Sequence, residues 1–186
     1  MYLRLLLLGA VIAVGGQATN VSANSIVDIA VSDSNFSSLV EAVVSQDLAD
    51  TLANDGPFTV FAPTDDAFAK LPNYAVRALE NNPDLLTDIL LYHVVPGKLL
   101  AEDVLSNRRL STAQGEELRV IGSAFSPYVN FSRIVGTDIV ADNGVIHVID
   151  NVLIPRSVRQ ALISDLRNQL RQKQQSLREL RTATLH

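Results

Sequence analysis

Residues 58–68 read Phe-Thr-Val-Phe-Ala-Pro-Thr-Asp-Asp-Ala-Phe, and the change of character in the middle of that stretch decides how the chain is organised. Phe58 to Ala62 is bulky and β-rich, which suits a strand, and Pro63 stops it. Thr64 or Asp65 then caps a short helix carrying Ala67, Phe68 and Leu71, which Pro72 ends. Asp65-Asp66 falls in the first turn, where negative charge meets the positive end of the helix dipole. A strand runs directly into a helix here.

On the N-terminal side, Ser25 to Ala30 reads as a short helix with Ile26, Ile29 and Ala30 on one side. Asn35 is placed to cap a second helix, whose stripe of Phe36, Leu39, Val40, Val43 and Val44 has helical spacing. Its continuation through Leu48 and Leu52 stops near Gly56-Pro57. On the C-terminal side, Asn82 as N-cap, Pro83 at the first helical position and Asp84 open another helix. Leu85, Leu86, Ile89 and Leu90 give its buried side, and Pro96-Gly97 suits a type II turn after it.

After Glu102 the chain turns β-rich. Leu110 to Thr112 and Leu118 to Val120 flank Gln114-Gly115-Glu116, a hairpin signal. Tyr128 to Ile134 alternates as one strand, and Asp142-Asn143-Gly144 turns tightly into the β-branched run Val145 to Ile149. Pro155 closes the body. Helices toward the first half and strands toward the second make the chain α+β.

The whole sequence has 186 residues, 47% hydrophobic and 19% charged, which is the composition of a globular domain. It has no cysteine, so disulfides, thiol chemistry and cysteine-ligated zinc are excluded. The net charge of −5 hides an asymmetry: residues 1–155 carry 8 Lys/Arg against 18 Asp/Glu, and residues 156–186 carry 7 against 2. An acidic body argues against nucleic acid, whose phosphates need a basic face. At the N-terminus, Arg4, the apolar run Leu5 to Val14 and Gly16-Gln17-Ala18 form a secretory signal peptide over residues 1–18, with Ala23 an alternative end. Ten apolar residues are too short to cross about 30 Å of hydrocarbon. No later stretch spans either, and the polar C-terminus lacks a lipid-anchor tail. The expected location is extracellular, or periplasmic in a bacterium.

Three stretches resemble fasciclin-like domains. Residues 58–68 look like that family's first box. Leu110 to Val120, with Gly115 at its turn, is similar to the central hairpin. Asn143 to Leu153 (Asn-Gly-Val-Ile-His-Val-Ile-Asp-Asn-Val-Leu) looks like the second box, and Tyr92-His93 before Val94-Val95-Pro96-Gly97 matches the tyrosine–histidine segment. The resemblance covers residues 25–155. It implies a wedge-shaped β-sandwich with helices packed at one end, followed here by a basic helical tail over 156–186. It also implies a non-enzymatic role in cell adhesion, matrix association or cell-surface binding, without a cofactor. In some animal members an Asp-Ile pair before the second box and the tyrosine–histidine segment serve integrin-mediated adhesion. Asp138, Ile139, Tyr92 and His93 hold those positions here, with Gly136-Thr137 and Val140 departing from the animal flanks.

Read as chemistry, the polar residues have structural explanations. His93 shares the apolar side of its helix and ends it, so its ring suits a terminal carbonyl. Tyr92 reads as an anchoring phenol. His147 lies between Val145 and Ile149 on one strand face. The rival class is a secreted hydrolase using His147 with a carboxylate such as Asp150 or Asp142, and a third is a carrier of a small apolar ligand. No Gly-x-Ser-x-Gly, His-Glu-x-x-His or calcium-loop pattern occurs in the sequence. Asn20, Asn35 and Asn130 each begin an N-glycosylation sequon.

The tail lacks Gly and Pro after Pro155. Ile163, Leu166, Leu170, Leu177 and Leu180 fall at 3,4 spacing, with Lys173 breaking the seam. The pattern predicts a helix whose stripe needs a surface, either its own domain or, as the favoured reading, weak self-association with another chain.

Overall fold

The computed structural model describes residues 24–123 and 125–183, with the side chains of 180–183 left aside. The signal peptide and Asn20 lie outside the described residues. Helices α1 (Ile26–Ser32), α2 (Ser37–Ser45) and α3 (Ala49–Asn54) precede strand β1 (Phe58–Pro63). Then come α4 (Asp65–Ala69), α5 (Asn73–Glu80), α6 (Pro83–Tyr92), β2 (Val94–Pro96) and α7 (Ala101–Ser106). Strands β3 (Arg109–Ser111), β4 (Glu117–Ser123), β5 (Ser126–Val129), β6 (Ser132–Ala141) and β7 (Gly144–Ile149) lead to α8 (Arg156–Ala183). The chain is α+β.

The strands run in the order β2-β1-β7-β6-β5-β4-β3. Every pairing is antiparallel except β1 with β7, which lies Val60 against Ile146 and Phe61 against His147. That parallel pair sets the two sequence boxes side by side. Past the end of β3, the Ala113 N–H donates to the Val94 oxygen at 2.8 Å. The sheet's two edges therefore meet, and it folds over its own core of Phe61, Tyr92, Val104, Leu118, Val129 and Ile149. A second core, with Phe36, Leu39, Val60, Leu90 and Ile146, lies between the sheet and α1–α3. In a third, Val158 and Leu162 of α8 lie against Ala75, Leu79 and Ile89.

Close approach at the start of β7 is possible because residue 144 is glycine. A Cβ there would run into the Phe58 carbonyl and the Ile26 side chain. Beside it, Asn143 Oδ1 accepts the Ile26 N–H at 2.9 Å, and its amide donates to Leu52, Ala53 and Asp55 oxygens at 2.6, 3.1 and 3.1 Å. One side chain thus fastens α1 and the end of α3 to the sheet.

Several local expectations are corrected. Asn35 does not cap α2: Asp33 Oδ1 accepts the Asn35 N–H at 3.0 Å, and the Ser38 N–H goes to Asp65 Oδ1 at 2.8 Å. Thr64 is the cap of α4, its Oγ1 accepting from Ala67 at 3.3 Å, which frees Asp65 for that longer reach. The helix expected through Leu52 breaks at Asp47, whose φ is 55°. Asn82 makes no side-chain cap; its amide turns back to the Ala78 oxygen at 2.8 Å. The single strand Tyr128 to Ile134 is two, because Asn130 takes φ 55° and reverses the chain. α5 and α7 are helices that the periodicity did not mark.

Candidate functional site

His147 stands in β7 beneath the segment between β2 and α7, fully buried, its ring 5.5 Å from that of Phe61. Nε2 donates to the Leu99 oxygen at 2.9 Å, and Nδ1 accepts the Asp138 N–H at 3.4 Å. A neutral imidazole with its proton on Nε2 satisfies both bonds. Burial holds the His147 pKa down, against a smaller upward pull from the Leu99 bond and the Asp138 charge. Asp150 bonds instead to the Arg133 N–H at 2.9 Å and to Asn151 Nδ2 at 2.6 Å, and the Asp142 N–H goes to the Asn24 oxygen at 3.1 Å. The dyad of His147 with either acid is therefore not assembled: both ring nitrogens face backbone.

Asp138 has φ 59°, and its Oδ1 accepts the Ala101 N–H at 2.8 Å. It satisfies one of the first free donors of α7 from across the fold, work an N-cap side chain usually does. The residue is exposed, while Ile139 is half-buried against the helical core. Asp138 thus shapes a surface loop by tying β6 to α7.

Tyr92 and His93, expected at a partner surface, are both buried. Tyr92 Oη donates to the Glu117 oxygen at 3.1 Å and accepts from Asn130 Nδ2 at 3.0 Å. His93 Nδ1 donates to the Ile89 oxygen at 2.7 Å, and Nε2 accepts the Leu153 N–H at 3.0 Å. Burial pushes the His93 pKa down to about 4, against the opposing pull of the Ile89 bond. Both act as internal ties, with only the edge of Tyr92 at the floor of a groove. Asn130 Oδ1 also accepts the Arg119 N–H at 2.9 Å, so its amide is engaged at both ends. Asn35 is exposed, with its amide on Asp33 at 2.8 Å.

Above the Tyr92–Asn130 bond lies an open groove of about 920 Å³. Its walls include Ile121, Phe131, Arg109, Arg119, Arg156 and Arg159. Phe131 is 89% exposed and Ile121 50%, and Ile121 pairs across the strands with the exposed Tyr128. Of the groove's acids, Glu117 is paired with Arg109 at 2.8 Å. Glu116 receives the N–H groups of Arg156 and Ser157 at 2.9 and 3.0 Å. Burial alone would raise the Glu116 carboxyl, but those bonds hold it below the usual carboxylate range. What remains outward is aromatic and guanidinium surface, the composition enriched at energetic centres of protein interfaces. Sequence reading missed this patch, because Phe131 sits in the turn between β5 and β6 and Ile121 on β4, and only the reversal at Asn130 brings them to one side.

A second cavity, about 120 Å³ and lined by Val27, Val40, Val44, Leu48, Leu52 and Phe58 among others, opens between α1, α2 and α3. An apolar cavity of about 150 Å³ takes a benzene, so a carried ligand is limited to that scale. Among the described residues no group of three or more His, Asp or Glu is placed to hold a metal ion. No described helix is long and apolar enough to cross a membrane.

The sheet, whose edges meet at Ala113 and Val94, is tied to α6 by His93 and Tyr92 and turns an apolar and cationic groove outward. The Fasciclin domain family model matches residues 34–155, and the chain belongs to that family. It is 48% identical over 145 residues to protein sll1483 of Synechocystis sp., covering 77% of this chain and 80% of that protein. It is 37% identical over 135 residues to transforming growth factor-beta-induced protein ig-h3 of Oryctolagus cuniculus, covering 73% of this chain and 20% of that one. A FAS1 domain pair from the insect cell adhesion molecule Fasciclin I superposes with a TM-score of 0.56 at 19% identity, over 73% of this chain and 52% of that one.

Proposed function

We propose that this chain is a secreted, non-catalytic adhesion module that binds an extracellular matrix or cell-surface component through the groove edge formed by Ile121, Tyr128, Phe131 and Arg119. The observation that carries the reading is Phe131, a large aromatic left 89% exposed at the rim of an arginine-walled groove. Large apolar groups on a folded surface mark interaction sites when they gather with polar neighbours. Asp138 and Ile139 enter as the residues that shape the neighbouring β6–α7 corner, with the Asp138 carboxylate holding α7 in place. The insect Fasciclin I pair, which shares the fold, comes from a cell adhesion molecule. The N-terminal signal sequence supports export.

Adhesion of cells or matrix from the source organism to a surface coated with the mature chain tests the proposal. Binding above an uncoated control, lost in Phe131→Ser, is expected. Binding that ignores Phe131→Ser removes the groove edge from the reading, and adhesion no better than the control removes the function.

A further inference from the structure

The charge of this chain is divided by place. From Asn24 to Ala69, which spans α1–α4, there are eight Asp/Glu and not one Lys or Arg. Residues 156–186 hold seven Lys/Arg against two acids. The acidic end carries the small apolar groove between α1, α2 and α3, with Val44 at its wall 57% exposed. The basic end is α8, which docks only by its first turns, through Val158 and Leu162. From Arg167 to Glu179 every residue is exposed, about 20 Å of helix standing clear of the body.

That projecting helix carries an apolar stripe. Ile163, Leu170 and Leu177 are 41%, 53% and 59% exposed and fall seven residues apart, on one face. Arg167 and Lys173 flank Leu170 on opposite sides at three residues' distance, and Arg171 and Arg178 add charge beside them. Such a stripe needs a surface, because an isolated helix of this length is marginal in water. Its own body does not cover it, since Ile163, Leu170 and Leu177 are all exposed. Pairing with another α8 is opposed by charge. With Ile163, Leu170 and Leu177 at a positions, the e positions hold Arg167, Gln174 and Arg181 and the g positions Gln169 and Ser176. No acid there faces the arginines, so two such helices repel.

We infer that α8 of one copy docks in the apolar groove between α1, α2 and α3 of a second copy, within its acidic segment. A leucine of the stripe fits the roughly benzene-sized cavity, and the flanking cations are complementary to the exposed acids of α2, α3 and the turn between them, Glu41, Asp50 and Asp47. The two surfaces differ, so the contact is head-to-tail and builds either a reciprocal pair or a string of modules. Linked modules bind a surface with avidity that one copy lacks.

Sedimentation of the full mature chain at low salt tests the inference, with folding of each variant checked by circular dichroism. The wild-type chain should form dimers or larger species, weakening as salt is raised. Val44→Glu, which spoils the groove, and Leu170→Glu/Leu177→Glu, which spoils the stripe, should each sediment as monomers. An equimolar mixture of the two should associate again, because one variant keeps a sound tail and the other a sound groove. Lys173→Glu with Arg171→Glu should weaken association about tenfold or more, equivalent to ~1.4 kcal/mol. A monomeric wild type overturns the inference. So does Val44→Glu associating as wild type does, which would mean helix-to-helix pairing, or a mixture that stays monomeric.

Discussion

His93 Nε2 accepts the backbone N–H of Leu153 at 3.0 Å, joining the end of α6 to the last residue of the second sequence box. The same ring donates from Nδ1 to the Ile89 oxygen at 2.7 Å, so its neutral form is required on both sides. A second proton would have to go on Nε2, where the Leu153 N–H already points.

This makes the fold sensitive to acid in a defined window. An unfolded histidine titrates near its ordinary value of 6.5, while in the fold burial brings it to about 4. The folded-state value is depressed, so the unfolded chain takes up the proton first as pH falls. Stability from this group is complete above about pH 6.5 and is lost progressively down to about pH 4, amounting to ~3 kcal/mol. Denaturant unfolding of wild type and His93→Gln at neutral and mildly acidic pH checks it. The wild type should lose more stability than the variant across that window. Parallel losses would show that His93 does not titrate as described, since carboxylate contributions are common to both.

The ties at His93 and Tyr92 were legible in outline because both residues sit on helical periodicity, one turn from apolar neighbours. That both side chains are buried was not legible, because their partners Glu117, Asn130 and Leu153 lie far off in sequence. The two boxes announced themselves by Pro63, Thr64 and Gly144, residues whose backbone limits or caps act locally. α7 escaped notice for the opposite reason: its donor Ala101 N–H is met by Asp138, 37 positions away. On α8 the stripe was visible, but the residues that anchor it, Val158 and Leu162, lie outside the 3,4 series that begins at Ile163. Periodicity shows which residues share a face, and only the tertiary fold shows which face is covered.

Tyr92→Phe removes a hydroxyl that both donates to Glu117 and accepts from Asn130. The ring packing survives, so the cost is that of two hydrogen bonds with the Asn130 amide and Glu117 oxygen left to find water. A loss of about 1–2 kcal/mol is expected in denaturant unfolding. Because Asn130 sets the turn below Phe131, this variant should also weaken surface adhesion more than its stability loss alone explains.

Asp138→Ala separates two roles. If the carboxylate braces α7, as its 2.8 Å bond to Ala101 indicates, the substitution should cost about 1 kcal/mol for the lost cap. A further cost of about 1 kcal/mol follows because alanine tolerates the left-handed backbone at φ 59° less well than aspartate or asparagine. Asp138→Asn keeps an acceptor and should recover most of that stability. Adhesion measured on the two variants then reads the surface role: a contact that needs the charge fails in both, while a loop that needs only its shape fails in Ala and is restored in Asn. Unchanged unfolding in Asp138→Ala would remove the brace.

Asn143 offers the sharpest test of how the helices are held to the sheet. Its oxygen accepts from Ile26, and its amide nitrogen donates to three carbonyls at the end of α3. Asn143→Ala leaves that N–H and those carbonyls to water where water can reach, at a cost of about 2–3 kcal/mol for several bonds lost at once. Asn143→Asp is nearly the same shape and keeps the acceptor for Ile26, so a purely steric view makes it the milder change. Electrostatics gives the opposite order. The carboxylate would set a negative charge against the oxygens of Leu52, Ala53 and Asp55, with no donor left to satisfy them. Asn143→Asp should therefore be destabilised at least as much as Asn143→Ala at neutral pH. It should narrow the gap on acidification, as protonation restores one donor. Urea unfolding of both variants at two pH values decides between the orders, and a stable Asn143→Asp at neutral pH would show that the α3 carbonyls are satisfied without this residue.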